Sequence, residues 1–161
     1  MKKTLSIIFI ALFIIALSSC SMLLNVEKEK AFEKSGMSIT LTNQFTEKEH
    51  LSYTSIYDSK NMAVYTLKEE FSLFEAFDSD LTLDEYADLV VEANKLTCEK
   101  QYKDDLTYFL YEKEANGKQM SFYAFVYEGD DAFWLIQFAC ESDNAEKLED
   151  RIFTYAKSVN V

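Results

Sequence analysis

The sequence predicts an α+β fold, a three-layer α/β/α sandwich in which a mainly antiparallel sheet of about six strands carries a helix on each face. Three observations predict it. The stretch from Leu106 to Cys140 reads as a strand meander, turning at Asn116-Gly117 and again around Gly129-Asp130, with apolar residues on both faces. A sheet with one face in water alternates apolar with polar, so each face here needs a cover. Two amphipathic helical stretches, one before the meander and one after it, supply those covers. The chain has no proline, and its three glycines stand at Gly36 and in the two meander turns, which leaves no linker and no internal repeat.

At the N-terminus, Lys2 and Lys3 precede an almost wholly apolar run from Leu5 to Leu17, which ends in Leu17-Ser18-Ser19-Cys20. A charged start, an apolar middle and small residues at the end form a secretory signal. The run has 13 residues, short of the roughly 20 that a membrane-crossing helix needs. Leu17, Ser18, Ser19 and Cys20 resemble the lipobox of bacterial lipoproteins. That resemblance implies cleavage between Ser19 and Cys20 and a diacylglyceryl group on the Cys20 thiol. It also implies an extracytoplasmic chain anchored by lipid to a bacterial membrane, on the outer face of the cell membrane. Three segments follow: a signal peptide over 1–19, a lipidated N-terminus and tether over 20–35, and one globular domain over 36–161.

Composition supports a packed domain, with 48% hydrophobic and 15% aromatic residues. All 28 acidic residues lie beyond the signal, whereas two of the 16 basic ones, Lys2 and Lys3, lie within it, so the processed chain carries a net charge of −14. Such a surface is repelled by nucleic acid and by anionic headgroups, and no nucleic-acid partner is expected. Acyl chains then hold the protein to the bilayer without electrostatic help, for which one chain is marginal and two suffice. Of the other cysteines, Cys98 and Cys140, the composition favours two buried thiols, although the compartment tolerates a disulfide.

Residues 21–35 mix Glu27, Lys28, Glu29 and Lys30 with Glu33 and Lys34 and show no sustained apolar face. They read as a tether spanning on the order of 20 Å. Ile39 and Leu41 alternate with Ser38, Thr40 and Thr42, a half-buried strand. A second strand is predicted over Leu51–Tyr57, a turn at Asp58–Asn61, and a third strand over Met62–Lys68 with Ala63, Tyr65 and Leu67 on one face. Thr82 with Glu85 forms a capping box that starts a helix running to about Asn94, with Leu83, Tyr86, Ala87, Val90 and Val91 on its apolar side. Residues Thr97–Asp104 read as a short charged strand or connection. Asn116-Gly117 is the preferred two-residue hairpin turn, since both positions need positive φ. That register sets Leu110 opposite Tyr123 and Phe109 opposite Ala124. The next turn sets Phe125 opposite Trp134 and Ala124 opposite Leu135. One face then carries Leu106, Tyr108, Leu110, Tyr123, Phe125, Trp134, Ile136 and Phe138, and the other Phe109, Tyr111, Phe122, Ala124, Val126, Phe133 and Leu135. The last helix spans about Asn144 to Ser158, capped by Asp143 with Glu146, with Ala145, Leu148, Ile152, Tyr155 and Ala156 in its stripe.

The order β-β-β-α-β-β-β-α, with Gly36-Met37-Ser38-Ile39-Thr40-Leu41 opening the domain, resembles the PsbP/Mog-type α/β/α sandwich, and most of all its small DcrB-like bacterial lipoproteins. Relatives of that type act as accessory or binding subunits, and no functional motif of theirs has a counterpart here. A cystatin-like or NTF2-like α+β fold is the competing arrangement, but both usually place a helix ahead of most strands.

The residues offer little to catalysis. His50, the single histidine, stands in Glu47-Lys48-Glu49-His50, where neighbouring side chains point apart, so it reads as a solvated loop residue. Acidic clusters at Asp78–Asp80, Asp104-Asp105 and Glu128–Asp131 read as caps and turns; a calcium loop from Asp78 would need Gly and Glu where Leu83 and Leu89 stand. A nucleophile needs a neighbouring base, and neither a Gly-x-Ser-x-Gly nor a glycine-rich phosphate loop occurs. No metal, cofactor or catalytic set is therefore expected. Phe71, Phe74 and Phe77, interleaved with Glu69, Glu70, Glu75 and Asp78, read either as a core connection or as an aromatic partner patch with an acidic rim. Two functions follow: a non-catalytic binding or accessory protein of the cell envelope with an unassigned protein or ligand partner, or an envelope enzyme working through carboxylates in a pocket.

Overall fold

A computed structural model describes residues 26–74 and 81–161. Among them β1 (Glu29–Lys34), β2 (Met37–Thr42), β3 (Thr46–Lys48), β4 (Ser55–Asp58) and β5 (Ala63–Glu70) precede α1 (Leu83–Ala93). Then come β6 (Lys100–Lys103), β7 (Leu106–Ala115), β8 (Lys118–Glu128), β9 (Ala132–Glu141) and α2 (Ala145–Lys157). Seven strands form one antiparallel sheet in the order β3-β4-β5-β9-β8-β7-β6, while β1 and β2 form a separate two-stranded hairpin. The sheet is thus the middle layer of an α+β sandwich, with α1 on one face and α2 on the other.

Each face has its own core. Phe109, Ala124, Val126, Phe133 and Leu135 pack under Tyr86, Ala87 and Val90 of α1. Tyr123, Phe125, Trp134, Ile136 and Phe138 pack under Ile152, Phe153, Tyr155 and Ala156 of α2, together with Phe32, Met37, Ile39 and Leu41 of the hairpin. The alternation read along the meander therefore assigns its faces correctly. The two thiols are free and fall in different cores, Cys140 with α2 and Cys98 beside α1, so the sheet stands between them. Burial raises the pKa of both, and a raised pKa means less of the reactive thiolate at neutral pH. In denaturant without reductant, Cys98 and Cys140 should both be labelled, as read by peptide mapping, and in the folded protein Cys140 should be labelled only slowly. Failure of both to label after denaturation without reductant would contradict this.

Five expectations need correction. The tether does not extend to residue 35. Glu29–Lys34 is a strand paired with β2 through a turn at Ser35 (φ 54°) and Gly36 (φ 96°), a twist that suits a two-residue hairpin. Only Phe32 of β1 is buried, which is why no apolar period was visible. Nor does β2 join the main sheet; it is zipped to the chain beyond α2, where Ser38 and Asn160 exchange N–H···O bonds of 2.8 and 2.9 Å.

The strand predicted over Leu51–Tyr57 is shorter, Ser55–Asp58, and Leu51 is fully exposed. The Ser52 N–H donates to His50 Nδ1 at 3.1 Å, curling the chain before the strand begins. The second meander turn sits one residue later than predicted, which moves the register by two. Gly129 N–H donates to the Ala132 carbonyl at 2.9 Å, so Phe125 faces Ile136 and Tyr127 faces Trp134. A slip of two residues keeps every side chain on its face, whereas a slip of one would have inverted them. Finally, α1 has its Thr82–Glu85 capping box, but α2 has no side-chain cap. A 3₁₀ turn over Ser142–Asn144 leads into α2 and leaves Asn144 at φ −106°, ψ −7°, not in the extended conformation of a capping residue.

Candidate functional site

Ser19, Cys20 and Phe77 lie outside the described residues. Phe71 and Phe74 follow β5 in a single 3₁₀ turn, Phe71–Leu73 and its cap. Both are half-buried. The Phe71 ring meets Phe133 edge-on at 4.9 Å; Phe74 sits 5.9 Å from Phe133 and 5.8 Å from Tyr86. Tyr86 itself stacks on Phe133 at 4.5 Å and donates to Glu69 Oε2 at 2.6 Å, and burial pushes its phenol far above the usual range. These rings thus seal the end of the α1 core. The outer side of Phe74, with Leu81, Leu89 and Ala93, lines a groove of about 480 Å³ rimmed by Glu85, Asp88 and Glu92.

His50 is exposed in the loop before β4, with its ring 5.5 Å from Tyr53. Asp104 and Asp105 both have positive φ and form the β6–β7 turn. Asp84 and Asp88 of α1 are bridged by Lys100 at 2.7 and 2.8 Å, and Tyr102 donates to Asp84, so the edge strand β6 is tied to α1. The bond from Lys100, and then that from Tyr102, holds the Asp84 carboxyl below its usual range. Among the described residues, no three His, Cys, Asp or Glu side chains gather closely enough to hold a metal.

The feature that sequence reasoning missed is a matter of length. Helix α1 has 11 residues, about 16 Å at 1.5 Å per residue. The strands beneath it have 10 or 11 residues, about 34 Å at 3.4 Å each. The helix is shorter than the strands it packs on. On the α2 side the hairpin adds cover, whereas on the α1 side, among the described residues, Tyr65, Tyr111, Phe122 and Gln137 are half-exposed.

That half-exposed part of the face has a definite geometry. The Tyr111 and Phe122 rings stack at 4.9 Å and 3°, and the Tyr111 hydroxyl donates to Gln137 Oε1 at 2.9 Å. Burial pushes the Tyr111 phenol up to about 12. Tyr53, from the loop before β4, lies 5.1 Å from Tyr65, whose phenol is also raised, mainly by burial. At the open end is a cleft of about 430 Å³, floored by Tyr65 and Phe122 and edged by Asn61, Asn116 and Asn144. Of its ionic groups, Lys118 pairs with Glu141, and Asp58 with Lys48. A second recess of about 390 Å³, lined by Tyr53, Tyr86, Asn94 and Gln137, lies between that loop and α1. One sequence signal pointed here. Gln137 is the single polar side chain inside β9, and the only residue before Glu141 in that strand that is not buried.

No protein-family model matches the sequence, and a search of characterised proteins finds no match to it. Solved structures do match. Cyanobacterial PsbP (CyanoP) from Synechocystis sp. PCC 6803 aligns with a TM-score of 0.58 at 13% identity, over 86% of this chain and 95% of that one. The Ran-binding protein Mog1p of Saccharomyces cerevisiae aligns with a TM-score of 0.52 at 11% identity, over 84% and 96%. A Bacteroides thetaiotaomicron protein aligns at 0.50 and 8% identity, over 83% of this chain and 48% of its own. At such identities the likeness concerns backbone architecture alone, and that architecture is the PsbP/Mog-like sandwich.

Proposed function

We propose that this chain is a lipoprotein of the bacterial cell envelope, anchored through Cys20 to the outer face of the cell membrane and acting there as a non-catalytic binding or accessory protein. The observation that carries the reading is the Leu17-Ser18-Ser19-Cys20 sequence behind its apolar run. A thiol at that position has no use in ordinary secretion and a specific one in acylation. The fold shared with CyanoP and Mog1p, the latter a Ran-binding protein, is compatible with a binding role. The open sheet-face cleft suits binding as well, because the two carboxylates that line it, Asp58 and Glu141, are engaged by Lys48 and Lys118, and Ser59 Oγ donates to the Met62 carbonyl.

The anchor sets a short reach. Glu29, the first residue of β1, is nine residues beyond Cys20, so the domain stands within about 30 Å of the acylated sulfur. Cys20→Ala should abolish incorporation of labelled palmitate in a bacterial host and leave the precursor uncleaved or shed to the medium. Continued labelling of that variant would end the lipoprotein reading. Crosslinking followed by recovery from native membranes would then identify the partner.

A further inference from the structure

We propose that the half-exposed part of the α1 face is a binding site for a neutral glycan, seated in the cleft between Tyr65 and Phe122. This deepens the binding reading above by naming a ligand class, and rests on that reading only for where the ligand would be met.

The site lies on the α1 face of the sheet, where strand residues Tyr65, Phe122 and Ala139 meet the turns that carry Asn61, Asn116 and Asn144. Its volume of about 430 Å³ falls in the ~300–1,000 Å³ range of small-ligand sites. The floor offers the aromatic rings of Tyr65 and Phe122, and Phe122 carries no hydroxyl. A pyranose ring has one face of C–H bonds that packs on such a surface, while its hydroxyls project from the edge. At that edge stand the carboxamides of Asn61, Asn116 and Asn144. Each carboxamide both donates and accepts, as each sugar hydroxyl does. The Asn144 side chain makes no capping bond in α2.

Charge excludes the alternatives. The whole chain has a formal charge of −12, yet the cleft is balanced, with Asp58 and Glu141 against Lys60 and Lys118. Glu141 and Lys118 satisfy each other, and Asp58 is held by Lys48. A strongly anionic ligand finds only Lys60 to meet it there and is repelled by the rest of the surface. An acyl chain would bury the carboxamides and the ion pair with no partner for them, which is costly. A neutral, hydroxyl-rich ring matches all three kinds of lining.

The test uses the full chain in detergent, titrated with chitotetraose, maltotetraose and the anionic tetragalacturonate, and followed by calorimetry and by amide chemical shifts. Saturable binding of at least one neutral tetrasaccharide is expected, at least tenfold tighter than tetragalacturonate. The shifts of the unmodified protein should centre on Tyr65, Phe122 and Asn144. Asn61→Ala with Asn144→Ala should weaken binding about tenfold and leave the melting temperature nearly unchanged. Absence of saturable binding to both neutral probes would overturn the proposal. So would shifts centred on another surface, or equal affinity for tetragalacturonate. The titration does not depend on acylation, so the Cys20→Ala chain should bind the same probe equally well. A failed anchor and a failed glycan site are thereby told apart.

Discussion

Trp134→Ala and Phe109→Ala should each lower the free energy of unfolding by ~3–5 kcal/mol, the range for truncating a large aromatic in a packed core. Trp134 is 2% exposed and packs with the hairpin and α2, and Phe109 is 0% exposed beneath α1. The two belong to separate cores on opposite faces of one sheet, so their costs should add within about 0.5 kcal/mol. Domains of this size have only ~5–15 kcal/mol in total, so the double variant should be largely unfolded at room temperature. Urea unfolding of the three variants measures this. A loss below about 1 kcal/mol for either single change would mean that its face is not a core.

Removing residues up to Ser35 should damage the domain as much as losing a core aromatic. If Ser21–Ser35 were a tether throughout, a fragment beginning at Gly36 would unfold like one beginning at Val26. The paired hairpin argues otherwise. Phe32 is 6% exposed and lies 4.7 Å from the buried Tyr57 ring, and all six residues of β1 are in register with β2. Without β1, Tyr57 loses that cover and the β2 backbone loses its ladder. The loss should be at least the ~3–5 kcal/mol of a buried Phe deletion, against a fragment starting at Val26. Equal melting temperatures for the two fragments would restore the tether to its full predicted length.

Much of the fold was legible because its signals are local. The capping box at Thr82, the Asn116-Gly117 turn and the two-residue alternation of the meander each need only a few neighbouring residues to act. Each appears as read. Misread positions depended on distant parts of the chain. Glu29–Lys34 has one buried residue and becomes a strand only because β2 lies alongside. Leu51 is apolar and sits in a propitious run, yet a loop bond to His50 takes it out of the sheet. The α2 start has the right residue types at Asp143 and Glu146, but the 3₁₀ turn before it takes the place of a cap. Of the aromatic trio, which the sequence left open between core and partner patch, Phe71 and Phe74 lie half-buried against Phe133 and Tyr86, contacts with distant elements that their spacing does not encode.

By itself, then, the sequence determined the sandwich, the assignment of residues to the two faces of the sheet and the expectation of a lipid address at Cys20. Periodicity, capping and a short targeting motif are all written in contiguous residues. Only the tertiary structure decided how completely each face is covered. Coverage compares the length of a helix with the span of strands elsewhere in the chain: 11 residues of α1 set against strands of 10 and 11. It also depends on a hairpin folding over one face and leaving Tyr65, Phe122 and Gln137 of the other partly open among the described residues. No local pattern encodes that difference, because it arises from the unequal rise of helix and strand, 1.5 Å against about 3.4 Å per residue.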